Sequence, residues 1–259
     1  MAFSAEWLAL REAADRAARD SALLVRAAGC VAPGQHVLDL GCGTGSTARA
    51  FAGQGFKDLH WRFLDSDRAL LDVAGRLHPD AEVVQGDLAD VDALPLADVG
   101  LVTASALLDL MPLAWVQRLA ARLSAARIPF YAALSYDGQM RWSPPMDADA
   151  CVTEYFNRHQ GTDKGLGPAL GPLSAAGTVE AFTAEGFSVS LSDSPWVIGL
   201  DQAAFHDALL EGIGAAAAEA GLQEAADWAQ ARRAAVDRSQ GVIGHRDLLA
   251  CLPAEHPDG

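Results

Sequence analysis

Nowhere does the chain run for about 18 uninterrupted apolar residues, the length a membrane-crossing helix needs, although 51% of its 259 residues are apolar. Its opening, MAFSAEWLALREAADRAARD, is charged and helical in pattern where a secretory leader would be apolar. A soluble, untargeted, cytoplasmic protein with no membrane partner is expected. Cysteine is scarce too: Cys30, Cys42, Cys151 and Cys251 lie far apart and form no CxxC pair. Neither a zinc site nor a disulfide framework is signalled, and no metal is expected. Positive charge is short, with 19 Lys and Arg against 34 Asp and Glu, a formal charge of −15, and lysine only at Lys57 and Lys164. Polyphosphate backbones are held by Lys and Arg, so nucleic acid is disfavoured as a partner. Trp7, Trp61, Trp115, Trp196 and Trp228 are too widely spaced for a stacking platform and read as core aromatics.

What the chain does contain is alternation. Five apolar segments, HVLDL (36–40), HWRFLD (60–65), AEVVQGD (81–87), VGLVTAS (99–105) and IPFYAALSY (128–136), are separated by helical patterns. Repeated strand and helix mean βαβ units and a parallel sheet covered on both faces. A further helix near 177–185 precedes FSVSLS and WVIGL, joined by DSP, which read as a terminal antiparallel hairpin. The expected fold is therefore α/β: a Rossmann-like, doubly wound, mostly parallel seven-stranded sheet with that hairpin. Helices are expected before the core and after Leu200, where Phe205, Leu209, Ile213 and Ala217 share a face. Only the last few residues read as disordered.

Behind the first strand, VLDLGCGTGS places Gly41, Gly43 and Gly45 in the first βα turn, where glycine lets a ligand approach the backbone. A dinucleotide fingerprint GxGxxG would put its third glycine at residue 46, but Ser46 stands there. Asp39, two residues before Gly41, would repel a pyrophosphate and suits a ligand with positive charge.

With that turn, the segment resembles motif I of the class I S-adenosylmethionine-dependent methyltransferases, and later segments keep the family's order. FLDSDRALL (63–71) resembles the second motif, which implies that Asp65, with Ser66 beside it, meets the ribose hydroxyls of S-adenosylmethionine. A carboxylate that accepts from two neighbouring hydroxyls suits that role by residue type alone. QGDLAD (85–90) resembles the adenine motif, with Asp87 accepting from the exocyclic amine and Leu88 presenting its amide. DVGLVTASALLDLM (98–111) resembles motif IV, which implies backbone groups near Thr103 and Ala104 facing the methionine ammonium. Asp65 and Asp87 have a plainer alternative as helix caps, the reading preferred for Asp67 and Asp90. Arg11 or Arg19 is expected to reach the cofactor's carboxylate if the N-terminal helix folds over the site. No NPPY-like tetrapeptide follows the fourth strand, and no acidic cluster of the metal-dependent catechol type stands out.

The resemblance implies one domain: a helical lid (1–30), a cofactor core (31–136), a substrate-cap insertion (137–176), a last helix and hairpin (177–200) and C-terminal helices (201–259). Its implied activity is methyl transfer to a small-molecule acceptor by in-line displacement, leaving S-adenosylhomocysteine. The alternatives are other S-adenosylmethionine chemistry (cyclisation, aminopropyl or carboxymethyl transfer) or a non-catalytic binding partner. The insertion carries the acceptor candidates. His159 is the expected proton acceptor and Tyr136 the second, while Tyr155, Gln160, Lys164 and Arg141 are expected to touch substrate. Cys42 and His245 read as structural. The chain is expected to act as a monomer or homodimer.

Overall fold

The computed structural model describes residues 4–253; the final residues expected to be disordered lie outside that range. The chain begins with α1 (Ala5–Ala18), capped by Ser4, whose Oγ accepts from the Trp7 amide at 3.1 Å. α2 (Ser21–Ala28) is capped by Asp20, which accepts from the Leu23 amide at 2.7 Å. Five parallel strands follow with their helices: β1 (His36–Leu40), α3 (Ser46–Gly53), β2 (His60–Asp65), α4 (Arg68–Leu77), β3 (Glu82–Gln85), β4 (Val99–Ser105), α5 (Leu113–Ala126) and β5 (Phe130–Ser143). α6 (Asp149–Gln160), α7 (Ser174–Ala184), β6 (Ser188–Asp193), β7 (Trp196–Ile198), α8 (Ala203–Glu219), α9 (Ala225–Arg233) and β8 (Gln240–Cys251) complete it.

Period-two alternation sends neighbouring side chains to opposite faces of the sheet. Leu38, Leu40, Val102, Ala104, Phe130 and Ala132 pack on the face with α5 and α7. Val37, Leu101, Tyr131 and Ala133 pack on the other, with α2, α3 and Phe51. Strand order is β3-β2-β1-β4-β5-β8-β6, so the order reverses between β1 and β4. In an open α/β sheet, ligands bind beyond the carboxyl ends of the strands at that reversal.

Two expectations about the sheet edge change. The segments 187–192 and 196–200 do not pair as a hairpin. β6 and β7 each pair antiparallel with β8, the strand formed by GVIGHRDLLAC, a region assigned above to C-terminal helices. β8 fills the antiparallel slot between β5 and β6, and the helices after Leu200 end at Arg233. The insertion also begins differently: residues 137–143 continue β5 alongside β8, Ser143 opposite Gln240, and with β7 on the far edge of β8 they form a three-stranded ribbon. The register slips between Ala132 and Ser135 and between Tyr136 and Met140. Such irregularities bend a ribbon and re-aim its side chains.

The ribbon carries a third core. Tyr136, Trp142, Trp196, Phe205, Ile213 and Trp228 bring it together with α6, α8 and α9, and Ala14 joins from α1. The expected face Phe205, Leu209, Ile213 and Ala217 of α8 is buried there. Fully buried Arg232 of α9 bonds both carboxylate oxygens of Asp149 and the Pro144 carbonyl, fixing α9 to the start of α6. Among the described residues, no helix is long and apolar enough to cross a membrane.

Candidate active site

Gly41, Gly43 and Gly45 form the turn from β1 into α3 with φ of 61°, 54° and 81°. At Gly45 the requirement is steric as well as conformational, since a Cβ would lie 2.8 Å from the His78 ring. The Gly43 amide donates to Asp65 Oδ2 at 2.9 Å, and Asp65 Oδ1 accepts from the Asp67 amide at 2.9 Å. The end of β2 thus holds the glycine turn in place. Asp67, not Asp65, caps α4, accepting from Ala69 and Leu70 amides at 2.8 and 3.3 Å. Ser66 is exposed next to it, and its carbonyl accepts from Gln85 Nε2 at 3.2 Å. Asp87 is exposed after β3 and accepts from the Ala89 amide at 2.8 Å; the Leu88 carbonyl is fixed by Trp115 Nε1 at 2.6 Å.

Asp39 is 1% exposed, with Oδ1 accepting from Thr103 Oγ1 at 2.7 Å across the β1–β4 pair. Its Oδ2 is buried without a partner. Burial pushes the Asp39 carboxyl up to about 6, against the hydrogen bond from Thr103, the nearby charge of Arg19 and the neighbouring Thr47 hydroxyl. Arg19, immediately after α1, is the converse case. Its Nη2 donates to Ser105 Oγ at 2.8 Å while buried Nη1 has no partner. Burial works against its charge, but facing Tyr131, Asp15, Asp247 and Asp39 outweigh it and hold the guanidinium above its ordinary value. An unsatisfied buried acceptor and an unsatisfied buried donor therefore share each other's field at the ends of β1 and β4. Buried polar groups are nearly always paired, so each such orphan in a folded protein calls for an explanation.

Beside this site lies a cavity of about 560 Å³ between α1, α6, α8 and the ribbon. Trp7, Met111, Phe156, Trp196, Leu209 and Ile213 supply apolar wall. Two wall residues hold left-handed backbone without being glycine, Ala106 (φ 48°) and Leu134 (φ 57°), a strain concentrated at functional sites. The Ala106 amide donates to the Ala133 carbonyl at 2.9 Å and the Leu134 amide to Asp247 Oδ1 at 2.8 Å.

His159, Tyr136, Gln160 and Lys164 all line this cavity, as does Arg11. Tyr155 and Arg141 are not among its lining residues: Tyr155 lies under the Arg158 guanidinium at 4.3 Å, and Arg141 borders a separate groove on the ribbon. His159 Nε2 is 2.9 Å from Glu219 Oε2, and Lys164 Nζ approaches His159 Nδ1 at 3.4 Å. Tyr136 donates its hydroxyl to Asn157 Oδ1 at 2.7 Å, and burial holds that phenol well above its ordinary value. Arg11 Nε donates to Asp15 Oδ2 at 2.9 Å with the guanidinium over Trp196. His245, read above as structural, also lines the cavity; burial and the charge of Arg11 push it down to about 3. Three residues of the region went unnoticed in sequence: Asp109, Asp247 and Ser105. Asp109 lies inside the segment resembling motif IV, DVGLVTASALLDLM (98–111), as the aspartate of its LLD triplet.

These features define a Rossmann-like, doubly wound α/β fold, open at the β1–β4 reversal. Residues 37–129, from β1 to just past α5, match the family model of a methyltransferase domain. No curated protein matches the sequence. Among solved structures, the cyclopropane synthase MmaA2 from Mycobacterium tuberculosis is similar over 96% of this chain and 94% of its own, with a TM-score of 0.54 at 12% identity. Geranyl diphosphate C-methyltransferase from Streptomyces coelicolor, in complex with Mg2+, geranyl diphosphate and S-adenosyl-L-homocysteine, is similar over 90% of this chain and 79% of its own, with a TM-score of 0.47 at 12% identity.

Proposed function

We propose that this protein is an S-adenosylmethionine-dependent methyltransferase acting on a small molecule held in the cavity. The observation that carries it is the pair of orphans, Asp39 Oδ2 and Arg19 Nη1, flanking the glycine turn. An amino-acid zwitterion satisfies both, its ammonium toward Asp39 and its carboxylate toward Arg19; the role was expected of Arg11 or Arg19, and the unpartnered Nη1 supports Arg19. Thr103 and Ala104 line the same end of the sheet. The ribose falls to Asp65 and Ser66, and the adenine to Asp87 and the Leu88 amide. The bound cofactor supplies an electrophilic methyl group on a sulfonium.

The protein's own part is alignment and exclusion of water. Positioning reacting atoms can lower a barrier by about 7–11 kcal/mol. Trp7 and Arg11 of α1 and Phe156 of α6 close the cavity over the ends of β4 and β5, so an acceptor sits against Ala106 and Leu134.

Calorimetric titration with S-adenosylhomocysteine tests the reading. Wild type is expected to bind, and Asp65→Ala to weaken binding by about 2–4 kcal/mol, from two hydrogen bonds to a charged acceptor. Failure of the wild type to bind refutes the assignment. Turnover with methyl-labelled S-adenosylmethionine should release S-adenosylhomocysteine; a different product would place the chemistry among the non-methylating reactions.

A further inference from the structure

We propose that Asp109 is the hydrogen-bond and proton acceptor for a phenolic or enolic hydroxyl on an otherwise apolar small molecule bound in the cavity between α1, α6 and α8. The proposal rests on the methyl-transfer reading and names the acceptor class for that site.

Asp109 lies in the short 3-10 turn Leu108–Leu110 directly after β4, and it lines the cavity. Its Oδ1 is buried with no hydrogen-bond partner. The other titratable groups on the same wall are engaged or unsuited. His159 has Glu219 on one ring nitrogen and Lys164 on the other. Tyr136 gives its proton to Asn157. His245 has Nδ1 at 3.0 Å from the Ile243 carbonyl, which only accepts, so that nitrogen carries the proton; with its value pushed down to about 3 the ring stays neutral and a weak base. Asp109 has a free oxygen, and burial pushes its carboxyl up to about 6, with its own backbone amide and the charges of Arg11 and Lys164 pulling the other way. A base works best when its value lies near the operating pH.

The surroundings select the ligand. A volume of about 560 Å³ lies within the usual range for drug-sized molecules, and the walls are mainly aromatic and aliphatic. Arg11 and Lys164 put positive charge around the one free carboxylate, which favours an oxygen that becomes negative as its proton leaves. In the reaction, the hydroxyl proton passes to Asp109 and the oxygen lone pair forms the new bond to the methyl carbon. The methyl–sulfur bond breaks with its electron pair staying on sulfur, which becomes a neutral thioether.

The test compares 2-naphthol with naphthalene, two probes of one shape that differ by a hydroxyl, in fluorescence titrations of the full chain without cofactor. Wild type is expected to prefer 2-naphthol by about tenfold at pH 7.5, the ratio a single hydrogen bond to a charged group gives. Asp109→Asn is expected to bring the ratio below about twofold while S-adenosylhomocysteine still binds with near wild-type affinity. In wild type the preference should shrink as pH falls through about 6, a readout that needs no variant. Equal affinity for the two probes, no binding of either, or a preference that survives in Asp109→Asn overturns the proposal. If S-adenosylhomocysteine fails to bind wild type, the methyl-transfer reading falls by itself, and the probe ratio still decides whether Asp109 reads a hydroxyl.

Discussion

Single residues at the site trade stability for readiness. An ionised carboxylate as buried as Asp39 is costly unless fully paired, and its Oδ2 is unpaired. Its value rises from near 3.9 in the unfolded chain to about 6 in the folded one. The folded protein thus holds this proton more tightly, so the contribution to stability is fully present below about pH 4 and lost as pH rises through about 6. At pH 7.5 the ionised group costs on the order of 3 kcal/mol by this linkage. Asp39→Asn is therefore expected to raise the melting temperature of the ligand-free protein at pH 7.5 by a few degrees, from about 1–2 kcal/mol regained. The gain should fade as pH approaches 5, while S-adenosylhomocysteine binding weakens at least tenfold. A melting temperature that drops at pH 7.5 would falsify the view that this carboxylate is held against its own preference.

At the scale of elements, β8 shapes the cavity wall. Its Asp247, fully buried, accepts from the Leu134 amide at 2.8 Å, the Asp20 amide at 2.9 Å and the Tyr131 hydroxyl at 3.2 Å. One carboxylate therefore ties β8 to the slip in β5 and to the start of α2. Asp247→Asn replaces one acceptor oxygen with an amide that donates into facing donors, and is expected to lower stability by about 2–4 kcal/mol in urea unfolding. Because Leu134 forms part of the cavity wall, turnover should fall more than S-adenosylhomocysteine affinity. The same residue explains why β8 was illegible in sequence. Its buried register is Gly241, Ile243, His245 and Asp247, and two polar groups on the inward face erase the apolar alternation by which strands are recognised. The glycine turn was legible because its signal is local: backbone angles and close approach are written in consecutive residues. Arg19 and Asp247 act through partners tens to hundreds of residues away, which no local pattern records. Cys30 and Cys251 make the same point, 221 positions apart in sequence with their sulfurs 3.9 Å apart.

For the molecule as a whole, α1 belongs to both halves of the site. Leu8 packs against Gly43, where an added Cβ would lie 2.9 Å from its Cδ1, while Trp7 and Arg11 line the cavity. Arg49 of α3 grips Glu12 of α1 through two bonds of 2.6 and 2.9 Å and binds the Thr44 carbonyl within the glycine turn. A partly exposed pair of this kind contributes on the order of 1 kcal/mol, enough to bias a helix without locking it. Glu12→Gln is expected to speed release of S-adenosylhomocysteine severalfold in stopped-flow displacement, with the melting temperature nearly unchanged; an unaltered release rate would separate this pair from control of the helix. A helix shared in this way also imposes a sequence in time. On the proposed methyl-transfer reading, the donor binds beneath α1 at Gly43 and the acceptor completes its pocket against Trp7 and Arg11 of the same helix. Steady-state turnover should then be compulsory-ordered, with the demethylated cofactor leaving last and inhibiting competitively against the donor alone.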